Sequence, residues 1–183
     1  GSFKPRGVLT KLASLTGEER ERGVIAASAG NHAAALAYCC ALEDIDCLVV
    51  MWQGASESKR AAALGYGAAI DQEASGPPEV FARLARLQEE TGRVLVHPFD
   101  DPLVVAGQGT VGLELAEDLP DAEVVVVPVG GGGLVAGIAT ALPDRRVVGV
   151  EPEGSAALHL ALAAGEPIRL TPDSVADGLN APF

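Results

Sequence analysis

Lys4 has neighbours that suggest reactivity. It stands in Gly1-Ser2-Phe3-Lys4-Pro5-Arg6-Gly7, ahead of a helical stripe of Val8, Leu9, Leu12 and Leu15 that runs to Gly17. Pro5 suits the first helical position and disfavours the α region for the residue before it, so Lys4 is expected just outside a helix N-terminus. The positive end of the helix disfavours an ammonium there, lowers its pKa and leaves a more nucleophilic amine. A solvated surface position is the commoner fate of any one lysine.

The second chemical feature is the unbroken run Gly130, Gly131, Gly132 and Gly133, between Val124-Val-Val-Val-Pro-Val129 and Leu134-Val-Ala-Gly-Ile-Ala-Thr-Ala-Leu142. The first flank reads as a parallel strand buried on both faces, the second as a helix. Backbone N–H groups at such a turn, with about half a positive charge from the helix N-terminus, suit a phosphate. The third feature is Ser28-Ala29-Gly30-Asn31-His32, after strand 23–27 and before an alanine-rich helix through Leu42. Its N–H groups could hold a carboxylate, with Asn31 adding a side-chain amide. Helix capping alone would also explain Ser28 and Asn31, and packing or capping would explain His32.

The glycine run admits other readings. Val124 to Leu142 is uncharged, which by length permits a membrane span, but Pro128, the glycines and the charged flanks argue against one. Gly131-x-Gly133-x-x-Ala136 also fits the dinucleotide fingerprint, with Glu151 closing Val147-Val-Gly-Val150 as its acidic residue. A turn that binds nothing is disfavoured, because each glycine carries an entropic penalty on folding.

The elements that must position these groups alternate. Strands are expected at 23–27, 46–51, 68–70, 93–96, 124–129 and 147–150, with later helices at 56–64, 78–90, 102–118, 134–142 and 155–163. This is an α/β pattern of parallel sheets with helices on their faces. In the helix 102–118, Gly107 and Gly109 allow close packing, and Gln108 and Thr110 could face a ligand. The 183 residues, 48% of them hydrophobic, can build one core or two small lobes. A net charge of −12 supplies no basic stripe for nucleic acid or anionic membranes, so an anionic ligand must be met locally. Cys39, Cys40 and Cys47 lie in apolar sequence without metal-ligand spacing to the histidines, and are expected as buried thiols in a reducing cytoplasm.

Five motifs then combine: the Lys4 heptapeptide, Ser28-Ala29-Gly30-Asn31-His32-Ala33, His97-Pro-Phe-Asp-Asp-Pro102, Gly107-Gln-Gly-Thr110 and Pro128-Val-Gly-Gly-Gly-Gly-Leu134. In this order they resemble the threonine/serine dehydratases, pyridoxal-phosphate enzymes of fold type II (tryptophan synthase β-like) that are related to serine racemase. The resemblance covers essentially all of the chain and implies an internal fragment of a longer protein, active when whole and weakly active or inactive as a piece. It implies two-lobed open parallel sheets with helices on both faces. Residues 23–103 would form the smaller, substrate-carboxylate-binding lobe, and 1–22 with 104–183 an incomplete larger lobe for the cofactor phosphate.

The resemblance also implies site residues. Lys4 would form the Schiff base with pyridoxal 5'-phosphate and act as the base, with Phe3 against the cofactor ring and Asn31 at its 3-hydroxyl. Gly130, Gly131, Gly132 and Gly133 would hold the phosphate, Asp177-Gly178 would lie beside the cofactor, and Ser28, Ala29, Asn31 and His32 would receive the substrate carboxylate. The implied reaction is β-elimination, dehydrating and deaminating L-threonine or L-serine to 2-ketobutyrate or pyruvate and ammonia. Its substrate is a small hydroxy amino acid; the implied protein is cytoplasmic and a homodimer at full length, with neither nucleic acid nor membrane as partner. Serine racemases carry a second serine where this chain has Ala29, which favours one-sided elimination over racemisation. The family's cation site follows the strand end at Glu151-Pro152, but an acidic ligand expected at Ala157 is missing, so no metal is expected. A serine racemase-like enzyme, an NAD-binding Rossmann domain and a noncatalytic regulatory module stay open as alternatives.

Overall fold

Short runs of β-branched and small apolar residues give four parallel strands: β1 (Val24–Ala27), β2 (Cys47–Trp52), β3 (Ala69–Ala74) and β4 (Val94–Leu95). The computed structural model describes residues 1–181 and orders these strands β3-β2-β1-β4, with Ile25 opposite both Leu48 and Leu95. Parallel neighbours require crossovers. These are α3 (Asn31–Glu43), α4 (Glu57–Gly65) and α5 (Pro77–Thr91), preceded by α1 (Lys4–Ala13) and α2 (Gly17–Arg22).

Period-two alternation along β1 decides what each face packs against. Val24 and Ala26 join Val8 and Leu12 of α1 and Leu36 of α3 in one core, while Ile25 and Val50 join Val80 and Leu84 of α5 in another. Helices therefore cover both faces, as the alternating pattern requires. Burying a leucine such as Leu12 or Leu36 contributes about 1.5–3 kcal/mol, and the alanines of α3, Ala33 and Ala37 among them, let α1 and β1 come close. Cys39, Cys40 and Cys47 are free and buried, as expected. The sequence reading gave no element to residues 18–22. They form α2, fixed by a capping box in which Thr16 N–H donates to Glu19 Oε2 at 2.8 Å and Glu19 N–H donates to Thr16 Oγ1 at 3.2 Å.

These elements make one compact unit, Gly1–Val104; a second begins at Val105. Residues 1–22 pack in the first unit, through α1 against α3, whereas the lobes implied by the resemblance group them with 104–183. α6 (Pro102–Asp118) leads into the second unit, where β5 (Val124–Pro128) pairs in parallel with β6 (Arg146–Val150) and α7 (Gly133–Ala141) and α8 (Ala157–Ala164) follow them. The uncharged stretch 124–142 is thus a strand, a loop and a helix. Among the described residues no helix is long and apolar enough to cross a membrane.

One expectation for β5 is corrected. Val127 is buried with Ile138 and Leu142, but Val124 and Val126 are 49% and 64% exposed, so the strand is covered on one face and not both. A run of valines satisfies either environment, and among the described residues β5 has β6 as its sole strand neighbour.

α6 and α7 cross where Gly109 meets Gly137. A Cβ on Gly137 would stand 2.5 Å from Val105 O and 2.6 Å from Gly109 N, both backbone atoms that cannot swing aside. Gly137→Ala should therefore force the helices apart and lower stability by about 1–3 kcal/mol. A drop in the urea midpoint checks this; an unchanged midpoint would mean the crossing is loose.

Candidate functional site

Lys4 is the first residue of α1, one position further in than expected: Phe3 is the N-cap, itself in the α region at φ −74° and ψ −17°. The bias that Pro5 places on its predecessor is outweighed by two local bonds. Arg6 N–H donates to Phe3 O at 3.1 Å, and Lys4 N–H donates to Ser2 Oγ at 3.2 Å. The side chain leaves the helix, and Nζ donates to the Pro98 carbonyl at 2.5 Å while standing 5.1 Å from the centroid of the Phe3 ring. Burial lowers the Lys4 pKa from 10.5 to about 8. The depression expected from the sequence is present, but its cause is desolvation.

The strand end and turn at 96–101 receive several such groups. His32, buried on α3, has Nε2 2.8 Å from Val96 O; since a carbonyl only accepts, Nε2 carries the proton and Nδ1 the lone pair. Burial pushes His32 down to about 4, against the opposing effect of that hydrogen bond, so the ring is neutral at pH 7. Its imidazole is committed to the core, and what His32 offers the turn before α3 is its backbone N–H. His97 Nδ1 accepts the N–H of Asp100 at 2.8 Å and of Phe99 at 3.4 Å. Asp101 Oδ1 caps α6 through the N–H groups of Leu103 at 2.8 Å and Val104 at 3.2 Å, while its Oδ2 pairs with Lys11 at 2.7 Å. Burial pushes the Asp101 carboxyl up, but Lys11 and the two amides outweigh it and hold it below its ordinary value.

The turn Ser28–His32 both caps a helix and leaves donors available. Ser28 Oγ accepts the N–H of Gly30 at 3.2 Å and of Ala33 at 3.3 Å, which is the capping role its residue type suggested. Asn31 does not cap. Its side chain is exposed and, among the described residues, has no hydrogen-bond partner; the N–H groups of Asn31 and His32 likewise find no acceptor. A Cβ on Gly30 would meet nothing within 4 Å, so the backbone here is open to a ligand, while Ala29 packs against the core.

In the second unit, Gly130–Gly133 joins β5 to α7. Gly132 is the N-cap at φ +83°, a left-handed conformation that favours glycine, and no side chain caps the helix. A Cβ at Gly132 would also meet open space, so the first-turn amides face a site that a small anion can enter. Gly130 is packed instead: its Cβ would lie 3.1 Å from Leu179 Cα and 3.4 Å from Gly178 O. The Asp177–Leu179 turn therefore lies against the glycine loop, pinned by Ser155 Oγ donating to Leu179 O at 3.0 Å. Glu151, the acid of the dinucleotide reading, accepts the N–H of Leu158 and of His159, each at 2.8 Å, and so caps α8 with both oxygens. Gln108 is buried and, among the described residues, neither of its side-chain polar atoms has a hydrogen-bond partner, while Thr110 Oγ1 donates to Gly107 O at 2.8 Å.

The first unit thus brings together Phe3, Lys4, Ser28, Ala29, Asn31 and His32 around α1 and the start of α3. The second brings Gly130 against Gly178 and Leu179. Sequence reasoning named His97, Pro98 and Asp101 within a motif but gave them no role. The signal was present, because Asp101-Pro102 is an N-cap followed by a proline suited to the first helical position. Within the first unit the low-pKa Lys4 amine suits a carbonyl carbon; within the second the glycine turn, with open space at Gly132, suits a phosphate.

Compared with known proteins, residues 1–183 match the family described as pyridoxal-phosphate dependent enzyme. The chain is 46% identical over 184 residues to an L-threonine ammonia-lyase of Thermotoga maritima, covering 98% of this chain and 46% of that protein. Among solved structures it is similar to maize serine racemase, with 38% identity, a TM-score of 0.95 and coverage of 99% of this chain and 56% of that one. It is also similar to the processed form of threonine deaminase isoform 2 from Solanum lycopersicum, with 37% identity, a TM-score of 0.94 and coverage of 99% and 54%. The chain spans about half the length of the curated relatives it matches.

The state of Lys4 is directly measurable. Acetylation of Lys4 by trace acetic anhydride should be half-maximal near pH 8 rather than 10.5. Between those values the folded chain binds fewer protons than the unfolded one, so burial of the ammonium weighs against folding below pH 8 and is relieved as pH rises through the window. Lys4→Met should accordingly be more stable than wild type at pH 7, with the advantage shrinking by pH 10; an advantage independent of pH would contradict the assignment.

Proposed function

The chain belongs to the pyridoxal-phosphate dependent enzyme family, and from that premise we propose that the whole protein dehydrates and deaminates L-threonine or L-serine. The products are 2-ketobutyrate or pyruvate with ammonia. The α-proton and the β-hydroxyl leave as water, and a second water displaces the nitrogen, so the two waters cancel in the net reaction. The observation that carries this reading is the half-buried Lys4 amine, its pKa lowered to about 8 and its Nζ held on the Pro98 carbonyl.

Residue roles follow from the groups available. The amides of Gly130 to Gly133 would hold the cofactor phosphate, Gly178 would flank it, and Phe3 would pack on the ring. Asn31, whose exposed amide engages none of the described residues, would reach the ring hydroxyl. The N–H groups of the Ser28–His32 turn take the substrate carboxylate, Ala29 contributing backbone alone. Pyridoxal phosphate, when bound, supplies an electron sink for the pair left behind by the departing α-proton. Lys4 would be its attachment point and would also serve as the base: a pKa near 8 keeps a useful fraction neutral at physiological pH. Ala29 offers no hydroxyl to serve the opposite face of the substrate, which favours elimination over racemisation. Glu151 is already engaged, one oxygen on each of two α8 amides, which weighs against the dinucleotide reading.

For the whole protein we also propose a small hydroxy amino acid as ligand, a homodimer and cytoplasmic residence. The buried free thiols support a reducing compartment.

Borohydride reduction of the cofactor-loaded whole protein should leave the cofactor mass on Lys4, and Lys4→Ala should lower keto-acid release from L-threonine by about 10²–10⁴-fold. Mass on another lysine, or undiminished turnover, would refute the reading. D-serine accumulating from L-serine faster than pyruvate would instead favour racemisation, the activity in the name of the maize neighbour.

A further inference from the structure

The segment 96–101 binds side chains from two helices, yet only one of its carbonyls enters the reading above. Val96 O takes His32 at 2.8 Å and Pro98 O takes Lys4 at 2.5 Å. His97 stands between these two carbonyls, with its Nδ1 accepting the amides of Asp100 and Phe99 at 2.8 and 3.4 Å. Its ring meets that of Phe99 edge-on, with centroids 4.7 Å apart at 86°. Pro98 has no N–H, so the donors that can close this turn onto residue 97 are those of Phe99 and Asp100. An imidazole nitrogen accepts only while it keeps its lone pair.

We infer that His97 is a positioning residue for the Lys4 amine: by accepting two amides at Nδ1 it closes the 97–100 turn and so fixes the Pro98 carbonyl that receives Nζ. This rests on the reading of Lys4 as the reactive amine. The charged and titratable groups around the ring are Lys4 from α1, His32 from α3, and Asp100 and Asp101 from its own segment, Asp101 being paired with Lys11. Burial lowers the His97 pKa; the two aspartates oppose this and Lys4 adds to it, leaving the group below its ordinary 6.5. The ring is therefore neutral at pH 7 and the acceptor is in place. Protonation of Nδ1 in acid puts a third N–H where two already point, which opens the turn, moves the Pro98 carbonyl and frees Lys4 toward water.

Two variants separate this role from simple packing. His97→Asn keeps an acceptor oxygen near the Nδ1 position and does not titrate in this range, whereas His97→Leu keeps bulk and loses the acceptor. By pH-dependent acetylation, Lys4 should titrate near 8 in wild type and in His97→Asn, and should rise by about one unit or more toward its unburied value in His97→Leu. Hydrogen exchange at Phe99 and Asp100 gives a second readout that does not need the leucine variant to fold. Those amides should be protected at pH 7 in wild type and lose protection as pH falls below 6.5, while His97→Asn retains it. An unshifted Lys4 in His97→Leu, or wild-type protection as pH-independent as in the asparagine variant, would overturn the inference. Neither readout needs cofactor or turnover, so loss of the proposed reaction and loss of this positioning role register separately.

Discussion

The hydrogen bond from Lys4 Nζ to the Pro98 carbonyl sets the terms for the first unit. A buried ammonium without a partner is penalised by several kcal/mol, so the amine must either be paired or give up its proton. A carboxylate in that place would hold the proton on lysine. A carbonyl does not insist on charge, because a neutral amine still has an N–H to donate to it. The result is an amine fixed in direction and yet ready to be uncharged, which is what a nucleophile or base at neutral pH requires. The surrounding bonds, from Asp101 capping α6 to His32 on Val96, hold the acceptor rather than the lysine.

A chain with twelve excess negative charges can still offer anions a local welcome. The groups suited to that are backbone amides, whose partial charge is local and does not alter the net balance. The two turns achieve this differently. Before α3, Ser28 satisfies two amides and leaves those of Asn31 and His32 outward. Before α7, the N-cap Gly132 is in a left-handed conformation and, among the described residues, no side chain caps the helix. In both cases missing side-chain bulk is what exposes the donors, and the same economy of bulk at Gly109 and Gly137 locks the helix that follows the second turn.

Much of this was legible in the sequence, for physical reasons that differ by residue. The alternation of strands and helices followed from periodicity, and Ser28 and the glycine run declared themselves because few other roles demand those residue types together. Lys4 was found, but placed one residue outside its helix and given the wrong cause for its pKa, since burial depends on partners distant in sequence. β5 was read as covered on both faces because a valine run carries no sign of how many neighbours it has. The short helix α2 was overlooked even though Thr16 and Glu19 carry the capping-box spacing. His97 was invisible as a functional residue: its role depends on a lone pair aimed at two amides, and residue type reveals neither tautomer nor direction. The resemblance to threonine/serine dehydratases supplied an expectation that spacing alone could not, a common cofactor for amine and glycines.

Glu151 shows how a side chain can be committed while remaining close to the surface. Each of its oxygens accepts one amide of the first turn of α8, so a cation drawn to that carboxylate would share it with two peptide dipoles. The start of that helix is therefore tied back to the end of β6 by a single side chain, and position 157, an alanine, adds no second acid beside it.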